Sequence, residues 1–116
     1  MLFRSPQKFP EKVDFITSVG HLTGGNSRKE AGLLGKGPVA VVTNAGVYDF
    51  EPSSKRMRVK SLHAGVTFDL AQMATGFELL KPAGEIPATN SPNPEVLEIL
   101  RKEVDPHGVF TSIPGM

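Results

Sequence analysis

The strongest constraint on the fold is a continuous apolar run, Val39-Ala40-Val41-Val42-Thr43, which is the clearest strand in the chain. An uninterrupted run of this kind is typical of a strand covered on both faces, as in parallel α/β sheets. An earlier run, Val13-Asp14-Phe15-Ile16-Thr17, also predicts a strand that is largely buried. The two runs favour an α/β fold built on an open sheet.

Two segments with alternating apolar and polar residues follow, at 47–51 and 56–62, separated by a short link that contains Pro52. Alternation at this spacing predicts an antiparallel hairpin with one face in water. The sequence therefore predicts an open, mostly parallel α/β sheet that also carries an antiparallel hairpin.

Two helices are signalled by their capping residues. Thr67 is a plausible N-cap for a helix that ends before Gly76, and Asn93 with Pro94 begins a second helix. We expect one domain over residues 1–116, with an irregular lead-in at 1–11 and a proline-rich connector at 77–92. The apolar residues of the last helix share one face: Val96, Leu97, Leu100 and Val104.

The predicted sheet is incomplete. A parallel pair of strands needs a connection of about a dozen residues, usually helical. Only residues 18–38 can supply it, and their glycines disfavour a helix. Two helices also leave one side of the sheet thinly covered. We expect further chain or another subunit to complete the layer, and the isolated chain to form a homo-oligomer.

Composition excludes several classes of protein. The 116 residues contain no cysteine, which removes a disulfide framework, a thiolate nucleophile and a cysteine zinc site. The net charge of +1 is far from the strongly basic charge that is typical of a nucleic-acid binder. There is neither an apolar run long enough for a membrane span nor a secretory signal. We expect a cytoplasmic protein without nucleic-acid or membrane partners.

The most suggestive stretch is glycine-rich and follows the first predicted strand, where open α/β sheets bind ligands. Its backbone N–H groups could face a phosphate or an oxyanion, and His21 could act as an acid or base. It matches neither the P-loop nor the dinucleotide motif, and its spacing alone favours a flexible connector. The candidate lining residues are Ser18, Gly20, His21, Gly24, Gly25 and Asn26.

Other polar groups give weaker signals. Arg56, Arg58 and Lys60 share one strand face and suit either ligand phosphates or, more simply, a solvated face. His63 and His107 are interpreted as surface or capping residues. We predict no metal site and no catalytic residue, since no carboxylate has a nucleophile's context.

Four segments in order resemble a known family, over about residues 7 to 109. They are similar to the C-terminal half of the beta subunit of class I coenzyme A transferases, of the glutaconate CoA-transferase type. The segments are 13–20 (VDFITSVG), 37–44 (GPVAVVTN), 56–67 (RMRVKSLHAGVT) and 74–77 (ATGF).

The resemblance implies an open α/β fold, an alpha subunit as partner and a CoA thioester as substrate, with no covalently bound cofactor. In the family, a glutamate attacks the acyl-CoA carbonyl and then carries CoA to the acceptor acid as a thioester. That glutamate lies in the N-terminal half, in a Glu-Asn-Gly-like context that these 116 residues lack. The chain is thus expected to move CoA only when the missing half and an alpha subunit complete it, with the Ser18–Asn26 loop beside the site.

Two alternatives remain open at this point. The chain could be a non-catalytic α/β module for oligomerisation or partner binding, left from such a subunit. It could also be part of a CoA-thioester ring hydrolase of the same family. The absent glutamate favours the first alternative for the chain in isolation.

Overall fold

The computed structural model of the chain describes residues 9–109. Its α-helices are α1 (Ser27–Glu30), α2 (Phe68–Met73) and α3 (Pro94–Ile99), and a π-helical turn (Leu100–Val104) continues α3. Its strands are β1 (Val41–Val42), β2 (Gly46–Phe50) and β3 (Met57–Leu62). Most of the lead-in predicted at 1–11 lies outside the described residues.

The three strands form one sheet in the order β1-β2-β3, and both neighbouring pairs are antiparallel. Tyr48 pairs with Val41 on one side and Val59 on the other, so β2 is the central strand. The hairpin predicted from the two alternating segments is confirmed as β2 and β3. An α/β architecture is confirmed as well.

The mostly parallel arrangement of the sheet is not confirmed. Thr43 Oγ1 accepts hydrogen bonds from the N–H groups of Ala45 and Gly46, at 3.1 and 3.2 Å, and so closes a tight turn between β1 and β2. A turn this short can join only antiparallel strands, because a parallel neighbour needs a long crossover. The sequence shows the turn at Asn44-Ala45-Gly46, and this turn rather than the apolar character of β1 decides the direction of pairing.

The predicted burial of the two apolar runs is also wrong. Residues 13–17 form no strand in the described chain, and Phe15 and Ile16 are 79% and 60% exposed. In the second run only Val41–Val42 is a strand, and Val39 and Val42 are both more than 70% exposed. A buried strand needs neighbours on its edges and faces, which residues 9–109 do not supply for these runs.

The proline-rich connector does more than join two helices. Leu80 accepts a hydrogen bond from Val59 N–H at 2.9 Å and donates its own N–H to the Met57 carbonyl at 3.1 Å. Further along, Leu62 N–H donates to Pro87 O, and Thr89 N–H donates to Leu62 O. The connector therefore runs parallel to β3 and covers its outer edge.

The core lies between the β2–β3 pair, α2 and the start of the connector. Its buried side chains are Tyr48, Val59, Leu62, Ala71 and Leu79. Val59 and Ala71 have no exposed surface. Fully burying a side chain of the size of valine or leucine stabilises a fold by about 1.5–3 kcal/mol, so this small cluster stabilises the packing of the hairpin against α2 and the connector.

The helix starts follow the predicted caps, whereas one helix end does not. Thr67 Oγ1 accepts from Leu70 N–H, and Asn93 Oδ1 accepts from Glu95 N–H. Gly76 is not a left-handed stop for α2, which is capped at Ala74. Instead, Gly76 N–H donates to the Phe9 carbonyl at 2.7 Å, and a Cβ there would lie 2.8 Å from that oxygen.

The predicted apolar face of the last helix is exposed in part, because Leu97 and Leu100 are partly buried and its two valines are exposed. Val96 and Val104, which lie on the apolar face predicted for this helix, are 57% and 65% exposed.

Within the part of the chain from residue 9 to residue 109, no helix is long and apolar enough to cross a bilayer.

Candidate functional site

The predicted glycine loop, residues 18–26, separates two grooves. The hairpin groove, about 1200 Å³, lies between this loop, the β2–β3 turn, α2 and residues 76–81. The glycine groove, about 820 Å³, lies between residues 17–20 and residues 35–38. His21 and Gly24 line the hairpin groove, and Ser18 and Gly20 line the glycine groove. Gly25 and Asn26 line neither.

Gly24 has a packing role that its sequence context does not reveal. Its φ of +92° lies in the left-handed region, and a Cβ on it would lie 2.5 Å from the Ser54 carbonyl oxygen. The next residue, Gly25, donates its N–H to the same oxygen at 3.0 Å. The glycines thus let the loop approach the backbone of the β2–β3 turn closely.

Several N–H groups of the loop already have acceptors inside the protein. Leu22 N–H donates to Val19 O, and Gly24 N–H donates to His21 O, each at 2.9 Å. Ser27 N–H donates to Gly24 O at 3.1 Å. These groups, together with that of Gly25, are occupied in the fold, so they would not also serve an oxyanion or phosphate without breaking those bonds.

His21 is held by one ring nitrogen and packed around the other. Nε2 lies 2.9 Å from the Pro38 carbonyl oxygen, so Nε2 carries the hydrogen in this contact. Nδ1 is buried and has no hydrogen-bond partner in the described chain. The ring also meets Phe50 edge-on, with centroids 4.7 Å apart. The His21 side chain therefore joins the glycine loop to the backbone at Pro38.

Arg28 organises the loop, and sequence reasoning missed it. Its guanidinium donates to Gly20 O and Leu34 O, both at 2.8 Å, and to Gly35 O at 3.4 Å. It therefore ties the beginning of the segment 20–35 to its end. The only sequence signal is an arginine in the middle of a glycine-rich stretch.

The hairpin groove has walls of mixed charge. Arg56 and Glu78 form an ion pair at 3.2 Å, and Lys81 Nζ lies 4.6 Å from the centre of the Phe68 ring. Cations and anions therefore partly cancel along this groove. Its charged lining residues are Lys55, Arg56, Lys81, Glu11 and Glu78.

The β2–β3 turn is fastened by Glu51. Its carboxylate accepts hydrogen bonds from the backbone N–H and the hydroxyl of Ser54, both at 2.6 Å. Ser53 donates from the same two kinds of group, at 3.2 and 2.8 Å. These hydrogen bonds, those from Ser54 first, lower the pKa of Glu51 to about 2. At neutral pH the Glu51 carboxylate is therefore ionised, and its hydrogen bonds hold the turn that supports Gly24.

The basic stripe on β3 is largely neutralised. Arg58 makes a two-pronged ion pair with Asp49, its registered partner on β2, at 2.9 and 2.7 Å. Hydrogen bonding to Arg58 lowers the pKa of Asp49 and raises that of Arg58. Arg56 forms an ion pair with Glu78, and Lys60, the third basic residue of the stripe, is exposed. This pairing favours a solvated strand face over phosphate contacts.

His63 is a structural residue rather than a ligand. Its Nε2 lies 2.8 Å from the Thr43 carbonyl oxygen, and its backbone N–H donates to Ala45 O at 3.0 Å. His107 is exposed beside the end of the π-helical turn. Among residues 9–109, no three His, Asp or Glu side chains come together as metal ligands.

Comparison with known proteins shows which proteins the chain is similar to in sequence and structure. No protein family model matches the chain. The chain is 42% identical over 101 residues to the beta subunit of the 3-oxoadipate CoA-transferase of Pseudomonas knackmussii, covering 87% of this chain and 38% of that relative. The resemblance to CoA-transferase beta subunits is therefore confirmed.

A second relative agrees in both sequence and structure. The chain is 33% identical over 116 residues to the beta subunit of the glutaconate CoA-transferase of Acidaminococcus fermentans. The crystal structure of that enzyme matches with a TM-score of 0.83, over 96% of this chain and 42% of the solved chain. This chain thus spans about two fifths of the length of the relatives it matches.

A hydrolase of related structure also matches. The chain is 39% identical over 71 residues to the cholesterol ring-cleaving hydrolase IpdB subunit of Rhodococcus jostii RHA1, covering 60% of this chain and 27% of that relative. The IpdAB crystal structure matches with a TM-score of 0.73 at 28% identity, over 91% of this chain and 42% of the solved chain.

Proposed function

We propose that this chain is the C-terminal portion of a CoA-transferase beta subunit and moves CoA from an acyl-CoA to a carboxylic acid only within a larger assembly. The observation that carries the proposal is the extent of the structural match. Nearly the whole chain superimposes on the glutaconate enzyme, yet it accounts for 42% of that solved chain. The remainder of such a subunit supplies what this chain lacks.

The exposed apolar surface supports the same proposal. Phe15, Leu34, Val39 and Val42 are each more than 70% exposed. Soluble monomers seldom expose large apolar patches, and such surfaces mark interaction sites. The missing part of the subunit would cover these residues and give the two apolar runs the neighbours they lack here.

The carboxylates described in this chain do not replace the missing nucleophile. Glu51 is held by four donors from two serines, and Glu78 is paired with Arg56. No glutamate stands in a Glu-Asn-Gly context. We infer that the attacking carboxylate comes from the remaining part of the subunit. This chain would supply one wall of the site through residues 18–26.

The hydrolase relative supports a second candidate, a role in CoA-dependent ring cleavage. Its match covers less of this chain, 60% against 87% and 98% for the two transferase relatives. The transferase role is therefore preferred. An alpha subunit as partner, a CoA thioester as substrate and a cytoplasmic location complete the proposal.

The test is a hybrid of the Acidaminococcus beta subunit in which this chain replaces the region it resembles, produced together with the rest of that enzyme. We expect the hybrid to co-purify and to transfer CoA between an acyl-CoA and a carboxylic acid. As a control for the removal of a glutamate carboxylate from this chain, Glu98→Gln changes an exposed residue of α3 and should leave CoA transfer by the hybrid unchanged. Ring-cleaving activity without CoA transfer would support the hydrolase role instead.

A companion experiment uses the chain alone. It is incubated with an acyl-CoA and trapped with borohydride or hydroxylamine, and its mass is measured. We expect no adduct. A trapped glutamyl thioester would contradict the absence of the nucleophile, and a folded hybrid that assembles without activity would favour a non-catalytic binding module.

A further inference from the structure

The charges that line the glycine groove all have one sign. The groove is formed by Thr17–Gly20, Arg28, Leu33 and Gly35–Pro38, and its charged side chains are Arg28 and Lys36. The hairpin groove, in contrast, mixes lysine and arginine with two glutamates. A concave surface whose charged lining residues are all cations attracts an anionic ligand.

The charge of Arg28 is held in place and is not cancelled. Its three hydrogen bonds all go to backbone carbonyl oxygens, which carry no net charge. The ion pairs within residues 9–109 involve other arginines and a lysine, not Arg28. A guanidinium has five N–H donors, so Arg28 keeps donor capacity beyond these three bonds.

The backbone of the groove allows a ligand to approach closely. Gly20, Gly35 and Gly37 have φ values of +55°, +74° and +81° and present no side chain. Gly37 cannot be replaced cheaply, since a Cβ would lie 3.0 Å from the His21 ring and 3.1 Å from Arg28. The groove also contains the hydroxyl residues Thr17 and Ser18.

We propose that the glycine groove binds a phosphate-bearing anion of the diphosphate type. Two cations and two hydroxyl groups match a ligand with at least two negative charges and several acceptor oxygens, whereas a single carboxylate would match only part of this set. The affinity for the anion follows from these residues alone. Its assignment to the diphosphate of a CoA thioester rests on the proposed function.

The experiment titrates the full 116-residue chain, labelled with ¹⁵N, and follows its amide shifts by NMR. Separate arms use inorganic pyrophosphate, 3′-phosphoadenosine 5′-diphosphate and glutarate. We expect saturable shifts at residues 17–20 and 35–38 with the first two ligands and much weaker binding of glutarate. A rise in the thermal unfolding midpoint with pyrophosphate is an independent readout.

Two variants separate a site from general charge. Lys36→Gln should raise the Kd for pyrophosphate about tenfold, since it removes a charge-assisted contact. Lys29→Gln removes an exposed lysine of α1 that lies outside the groove lining, and the Kd for pyrophosphate should stay within about twofold, because an exposed charge that does not contact the ligand is screened by solvent and salt. Both residues are exposed, so both variants should fold.

The proposal is overturned if pyrophosphate gives no saturable shift, if glutarate binds equally well, or if the two variants lose affinity alike. These outcomes are independent of the transferase test. Pyrophosphate binding with an inactive hybrid would refute the proposed function alone. An active hybrid without pyrophosphate binding would refute the groove alone. If pyrophosphate binds and 3′-phosphoadenosine 5′-diphosphate does not, only the link to CoA is overturned.

Discussion

The β2–β3 hairpin and the two segments that precede it, residues 13–22 and 33–42, contain similar apolar residues. Several of these residues are buried in the hairpin, whereas many of them are exposed in the two earlier segments. In the hairpin, Val59 is fully buried and Tyr48 is 3% exposed. In the earlier segments, Phe15 and Val39 are 79% and 76% exposed. This difference shows that an apolar strand pattern predicts a conformation together with the need for a packing partner, and that the partner must be present for the side chains to be buried. The hairpin packs against α2 and the connector, whereas in the earlier segments only Val41–Val42 pairs with another strand, β2, within residues 9–109.

The largest effect should come from Gly46→Val at the start of β2. A Cβ at this position would collide with the Ser61 carbonyl oxygen and lie 3.1 Å from Leu62 Cα, so the strand pair must separate. We expect a loss of at least about 3 kcal/mol in the free energy of unfolding. Urea unfolding followed by circular dichroism measures it, and a stable, cooperative variant would show that the hairpin is not the core.

The next effect should come from Val59→Ala, which removes part of a side chain with no exposed surface. We expect a destabilisation of about 2 kcal/mol, from lost burial plus the cavity that remains. Val39→Ala is the matched control, because the same truncation at an exposed site should change stability by less than about 0.5 kcal/mol. Equal losses at the two positions would remove the distinction between the two regions.

A smaller, pH-dependent effect is expected for Asp49→Asn, which breaks the cross-strand pair with Arg58. We expect about 0.5–1 kcal/mol at neutral pH, a range typical of partly exposed pairs. Because folding lowers the pKa of Asp49, the ion pair contributes fully to stability above the pKa that Asp49 has in the unfolded chain, about 4. It disappears as the pH falls through the folded pKa.

Unfolding of the wild type and Asp49→Asn is therefore compared between pH 7 and pH 2. The difference between the two midpoints should shrink as the solution becomes more acidic. A difference that is constant with pH would show that the loss arises from packing and not from the ion pair.

The smallest effect on stability, with a clear effect on assembly, is expected for Val39→Asp. The side chain is exposed, so the free energy of unfolding should change by less than about 0.5 kcal/mol. Sedimentation should nevertheless show that the wild type self-associates and that the variant does so less. A wild type that stays monomeric at high concentration would contradict the predicted homo-oligomer.

Local features of the fold are predictable from the sequence because their causes are local. Thr67 and Asn93 cap helices through bonds to residues two or three positions away, and the β2–β3 alternation needs only its neighbour. The exposure of residues 13–17 and 39–43 is not predictable in this way, since it depends on distant chain. Gly76 shows the same limit, because its role depends on the Phe9 carbonyl.

The sequence locates the candidate site only in outline. The loop at 18–26 does border two grooves, but the reason for Gly24 is the Ser54 carbonyl, 30 residues further along the chain. Arg28 escapes sequence reasoning because its partners are backbone carbonyl groups, which every sequence contains. Motif matching detects residue types, whereas these contacts depend on how the loop closes.

The way the connector lies along β3 limits how this sheet can grow. Leu80 and Thr89 occupy one outer edge of the sheet, whereas within residues 9–109 β1 pairs only with β2. A strand that pairs directly with this three-stranded sheet is therefore added at β1, and not at β3. If a second copy of the chain and the rest of a transferase subunit both pair with β1, only one of them can occupy that edge at a time.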